Sequence, residues 1–281
     1  MTDERSIPKG EQYAPYHEKI TTCVDAVLAI PYETVEIKAE DGCVLFGKYY
    51  ALEQDAPLVI FFHGYRCSSL RDGNGILLYT RKLGYNVLLV DQRAHGNSGG
   101  KTITFGIKER FDCKKWVEYA LERFGENKQI YLSGLSMGAA TVLMASDMDL
   151  PENVIGVLAD CPYSSPKEIL CSVMKSMSFS PELTYPLARL SAKWIGGFDM
   201  EETSAIEAVR RSKIPTLIIH GDDDRFVPCS MSVDCQMAGA GHVELVLIKD
   251  AGHGMSHCVD TPSYEEAVLR FFQNTQHKIN N

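Results

Sequence analysis

No stretch of this 281-residue chain approaches the ~18 consecutive apolar residues that a membrane-spanning helix needs. Its start carries Asp3, Glu4 and Arg5 and no apolar segment, so a secretory signal is not expected. Positive charge is also scarce. Lys and Arg number 28 against 37 Asp and Glu, a net charge of -9. Phosphate binding needs clustered cations, so nucleic acid is excluded as a partner, and no stable membrane insertion is expected. The nine cysteines show no Cys-x-x-Cys spacing. Their odd number and the missing signal predict free thiols in a reducing cytoplasm. The histidines form no legible metal-ligand cluster, and neither metal nor cofactor is expected. Internal repeats and low-complexity stretches are missing too. What remains is an ordinary globular composition, 45% hydrophobic and 23% charged.

The chemistry-bearing motif is Gly134-Leu135-Ser136-Met137-Gly138, directly behind the apolar run Gln129 to Ser133. A strand that ends in Gly-x-Ser-x-Gly and turns at once into a helix holds its serine on an exposed corner. The small and apolar residues from Ala139 to Ala145 read as the start of that helix. Downstream, a second strand run from Ile214 to His220-Gly221 empties into Asp222-Asp223-Asp224. A third, Val243 to Ile248, ends in Asp250-Ala251-Gly252-His253-Gly254. Nucleophile, acid and base thus each follow a separate strand. A parallel sheet brings such loops to one edge. A serine hydroxyl needs a base to take its proton, and histidine is the side chain suited to that work near neutrality. His257 competes with His253, but the Gly252-His253-Gly254 setting just after a strand favours His253. The backbone N–H of Met137, the residue after the nucleophile, is expected to meet the oxyanion.

With these motifs the chain resembles the α/β-hydrolases, in particular the lidded serine esterases, monoacylglycerol lipases and serine aminopeptidases. The resemblance implies a mostly parallel eight-stranded sheet with helices on both faces and a small helical lid insertion. It divides the chain into core 1–162, lid 163–212 and core 213–281. It also selects Asp224 among the three aspartates, with Val227-Pro228 in register, and assigns the second oxyanion donor to the backbone N–H of Tyr65 after His63-Gly64. The string Asp91-Gln92-Arg93-Ala94-His95-Gly96-Asn97-Ser98 is expected to be a structural brace.

The remaining readings concern packing. Tyr13 to Ile30 predicts an amphipathic helix with Ile20, Val24, Val27 and Leu28 on one face, for docking to the body. Glu33–Ala39 and Cys43–Tyr50 predict an edge hairpin, and Ile107 to Phe124 a helix covering the sheet. Within 163–212, one apolar stripe holds Ile169, Leu170, Val173, Met174 and Met177. Another holds Leu187, Leu190, Trp194 and Ile195. These stripes either pack on the body or form an apolar ceiling over the substrate. Cys67 and Cys258 lie in the same loops as the expected oxyanion donor and His253. The expected activity is hydrolysis of a small carboxylic ester of short to medium acyl chain through an acyl-enzyme. Aminopeptidase, amidase or thioesterase chemistry on the same triad is the alternative, and a non-catalytic ligand sensor a remote one.

Overall fold

The computed structural model describes residues 13–280; the terminal segment with Asp3, Glu4 and Arg5 lies outside them. Its centre is one eight-stranded sheet in the order β1-β2-β4-β3-β5-β6-β7-β8. Strands β1 (Glu33–Lys38) and β2 (Val44–Tyr50) form the expected hairpin, with Lys38 opposite Val44. Only Val35 and Ile37 of β1 face inward, as period-two alternation on an edge strand requires. β2 runs antiparallel to β4 (Asn86–Asp91). From there the sheet is parallel through β3 (Leu58–Phe62), β5 (Ile130–Leu135), β6 (Val154–Asp160), β7 (Thr216–Gly221) and β8 (Val243–Ile248). β3, β4, β6 and β7 are buried along their whole length, because helices cover both faces.

On one face lie α3 (Glu109–Phe124), α4 (Met137–Ala145), α7 (Ala205–Arg211) and α8 (Ser230–Ala238), around Trp116, Val142, Val209 and Met231. On the other lie α1 (His17–Leu28), α2 (Ser69–Lys82) and α9 (Thr261–Asn280), around Val27, Leu77, Val268 and Phe272. Two helix starts differ from expectation. Pro15 sits in a 3-10 turn, Ala14–Tyr16, which precedes α1. α3 starts at Glu109, because that carboxylate accepts from the Thr104 and Gly106 N–H groups and holds the preceding turn.

Between β6 and β7 the chain forms α5 (Pro166–Ser176), α6 (Pro181–Ser191) and a π-helical turn (Ala192–Gly196) before α7. The first apolar stripe packs inward through Ile169, Leu170, Val173 and Met174, while Met177 is exposed. The second does not pack on the body. Leu187 and Leu190 are exposed, and Trp194 and Ile195 are 82% and 85% exposed. α6 instead turns Tyr185 inward, and the Arg189 guanidinium forks onto Asp199, which fixes the helix with its apolar side outward. The architecture is that of the α/β-hydrolase fold.

Candidate active site

β5 delivers Ser136 to the edge of the sheet. The residue has φ 55° and ψ -113°, a strained conformation for a side chain, and α4 begins at the next residue. Two glycines make the corner. A Cβ on Gly138 would lie 1.9 Å from the Phe62 carbonyl oxygen, and one on Gly134 would lie 2.3 Å from the Gly138 carbonyl carbon. No side chain fits at either place.

Ser136 Oγ stands 2.9 Å from His253 Nε2, and His253 Nδ1 stands 2.6 Å from Asp224 Oδ2. An ionised carboxylate only accepts, so the proton belongs on Nδ1, and Nε2 is left to accept from the Ser136 hydroxyl. The structure therefore brings together the three residues that the sequence singled out. Asp224 is buried, which by itself raises its carboxyl. Hydrogen bonds from His220 and His253 outweigh that and hold it well below the usual carboxylate range. Its other oxygen accepts from the Phe226 and Val227 N–H groups at 2.9 and 2.8 Å.

The rival residues are occupied elsewhere. Asp222 accepts from the Asp250 N–H, and Asp223 pairs with Arg225 at the surface. His257 Nε2 is 3.6 Å from Glu265.

The loop after β3 is fixed from several sides. The Asp72 carboxylate accepts from the Gly64 N–H at 2.8 Å, and His95 Nε2 accepts from the Arg66 N–H at 3.0 Å. His63 is wholly buried, donating from Nδ1 to the Gly64 carbonyl and accepting at Nε2 from the Gln92 N–H. Among the described residues, neither the Tyr65 nor the Met137 N–H has a hydrogen-bond acceptor. The Tyr65 ring stacks on Phe105. Behind this loop the Asp91 to Ser98 string does act as a brace. Asp91 takes the Ser69 hydroxyl and the Lys48 ammonium, and Arg93 forks onto Asp112.

Beside Ser136 opens a cavity of about 430 Å³. Its walls are mostly apolar, with Ile20, Ile76, Leu135, Phe226 and Met255 among them, while Asp160 adds a carboxyl. No residue of 163–212 lines it.

A family model for serine aminopeptidases, S33, matches residues 53–198, just over half of the chain. The chain belongs to this family. YqkD, an uncharacterized protein of Bacillus subtilis, is 29% identical over 228 residues, 80% of this chain and 74% of its own length. The bifunctional esterase/perhydrolase DCH of Acinetobacter calcoaceticus is 22% identical over 260 residues, 78% of this chain and 92% of that one. Among solved structures, the Pyrococcus furiosus esterase Pf2001 superposes with a TM-score of 0.72 at 27% identity, covering 88% of this chain and 92% of the esterase. The protein is thus a hydrolase of the α/β superfamily with esterases among its relatives.

Several residues of this site were not singled out from the sequence. His220 Nε2 donates to Asp224 Oδ2 and the Val227 carbonyl, while Nδ1 accepts from Ser232. Its spacing of four residues from Asp224 was the available signal. Asp72 was legible only as a first-turn acid of α2. Cys67 and Cys258 both line the cavity; burial raises both thiols, Cys258 to about 11, so neither is a thiolate at neutral pH. Cys161 Sγ lies within 4.8 Å of ligand atoms of Asp224 and His253, the one such trio among the described residues. Two of its three members already bond each other. All nine cysteines are free, and no described helix is long and apolar enough to cross a membrane.

Proposed function

We propose that the protein is a cytoplasmic serine hydrolase of small carboxylic esters, with a short to medium acyl chain. Ser136 Oγ attacks the carbonyl carbon while His253 Nε2 takes its proton, and the Tyr65 and Met137 N–H groups hold the oxygen that becomes negative. Collapse of the tetrahedral adduct breaks the ester C–O bond, and His253 returns the proton to the departing alcohol. Water then enters by the same route, deprotonated by His253, and releases the acid from Ser136. Asp224 keeps the imidazole in the required tautomer and stabilises the imidazolium. No metal or redox step is needed. The observation that carries this reading is the bonded series Ser136–His253–Asp224 at 2.9 and 2.6 Å. The esterase relatives and the cavity of about 430 Å³ support the substrate class.

Amide cleavage uses the same groups, and the family description names aminopeptidases. An aminopeptidase needs an acid to hold the substrate amine. Asp222 and Asp223, the sequence candidates, are engaged with Asp250 and Arg225. Of the carboxyls on the cavity wall, Asp72 is taken by the Gly64 N–H and Arg71, and Asp160 is 5% exposed at the end of β6; the mostly apolar walls favour the ester.

The test has two parts. A fluorophosphonate probe should label the wild-type chain, and Ser136→Ala should abolish labelling. A panel of 4-nitrophenyl esters beside aminoacyl anilides should then show ester turnover far above anilide turnover. Labelling that survives Ser136→Ala would remove the nucleophile, whereas strong anilide turnover with weak ester turnover would replace the substrate class.

A further inference from the structure

The cavity beside Ser136 has an unexpected outer wall. In chain order, the obvious roof is the stretch between β6 and β7, yet its residues are missing from the lining. Tyr13 and Ile20, before and within α1, stand there instead.

α1 is tied to the segment that carries His253. The Tyr13 hydroxyl donates to the His253 carbonyl at 3.3 Å. The Lys19 ammonium donates to the Cys258 carbonyl at 2.9 Å and to the Thr261 hydroxyl at 2.7 Å. Ile20 and Val24 pack with Met255, two residues beyond His253, in a small core separate from the two that cover the sheet. α2, which packs against α1, contributes Ile76 to the same space. The helix before the sheet thus both anchors the histidine loop and bounds the apolar space next to the serine.

Resting on the ester reading above, we infer that α1 and not the 163–212 insertion sets the acyl-chain specificity, with Ile20 as its main determinant. The acyl chain lies against Ile20, Ile76 and Met255. At roughly 30 Å³ per small group, a cavity of about 430 Å³ holds on the order of 14 such groups, room for a medium acyl chain. The insertion keeps its second apolar stripe in solvent and makes no wall for the acyl group.

The experiment is a series of 4-nitrophenyl esters from acetyl to dodecanoyl, measured as kcat/KM on the full chain. One methylene in an apolar pocket is worth at least about tenfold in such ratios. Ile20→Trp should lower turnover of octanoyl relative to acetyl ester by about tenfold or more, and Ile20→Ala should move the optimum to longer chains. Trp194→Ala and Leu187→Ala should leave the wild-type profile in place. Because a buried tryptophan can disturb packing, Ile20→Ala and the acetyl rate of Ile20→Trp serve as the check on folding. A profile that Trp194→Ala shifts and both Ile20 variants leave alone would overturn the inference while the ester reading stands. A wild-type chain that cleaves none of these esters would remove both.

Discussion

At the scale of single residues, the reading proposed above turns on how three adjacent aspartates are held. Asp224 receives four hydrogen bonds, from His253, His220 and two backbone N–H groups, and none of these reaches Asp222 or Asp223. A carboxylate so held is ionised through the working pH range and keeps Nδ1 of His253 protonated. Replacing it with an amide allows the wrong tautomer, which in this kind of site costs about 10⁴ in turnover. Asp224→Asn should therefore lose about four orders of magnitude in kcat on an ester that the wild type cleaves, with KM little changed. Asp222→Asn should stay within about threefold. Equal losses in the two variants would show the acid to be misassigned. His220 is the finer lesson. Its contribution depends on a rotamer and on the curl of the loop after β7, neither of which a residue string displays. Ser136 and His253, by contrast, were legible because glycines flank each of them.

At the scale of elements, the elbow between β5 and α4 is built by exclusion. Gly138 lies so close to the Phe62 carbonyl that one added methyl must push β3 and α4 apart. Gly138→Ala should cost about 3 kcal/mol or more of stability and lower Tm by roughly 10 °C. Gly241→Ala, with open space around the new methyl, should stay within about 0.5 kcal/mol. A thermal melt of the two variants checks this, and similar melting temperatures would refute it.

The strands themselves were plain in the sequence. Fully buried parallel strands must be continuous apolar runs, and the edge strand β1 must alternate. Helix faces were less readable. The stripe in α5 turned inward, but the one from Leu187 to Ile195 turned outward, because hydrophobic spacing marks a common side without saying what lies against it. The same limit hid the second use of α1. Its apolar face was clear, yet the neighbour of that face, Met255, comes from the far end of the chain.

At the scale of the whole molecule, the sheet carries a carboxyl with little to compensate it. Asp160, at the end of β6, is 5% exposed, and its Oδ1 has no partner among the described residues. Burial pushes it from 3.8 up to about 6, against the weaker opposing pull of His220, Tyr264 and His253. Its proton is thus held more tightly in the folded chain than in the unfolded one. Stability from this group is full below pH ~4, declines as pH rises to ~6, and stays lost above that. A shift of about two units corresponds to about 3 kcal/mol. Asp160→Asn cannot ionise, so its stability relative to wild type should improve by about 2 kcal/mol between pH 4.5 and 7.5, the rest being already lost at pH 4.5. Urea unfolding at the two values measures it, and an unchanged difference would refute it.

The topology also has a consequence in time. Ser136 leaves the ribosome 117 residues ahead of its imidazole partner, which arrives only behind the last strand of the sheet. Throughout that interval the hydroxyl has no base beside it. On the reading proposed above, a chain that stops short of β8 would therefore be an inert fragment, and only one that includes β8 and the loop behind it could hydrolyse a substrate.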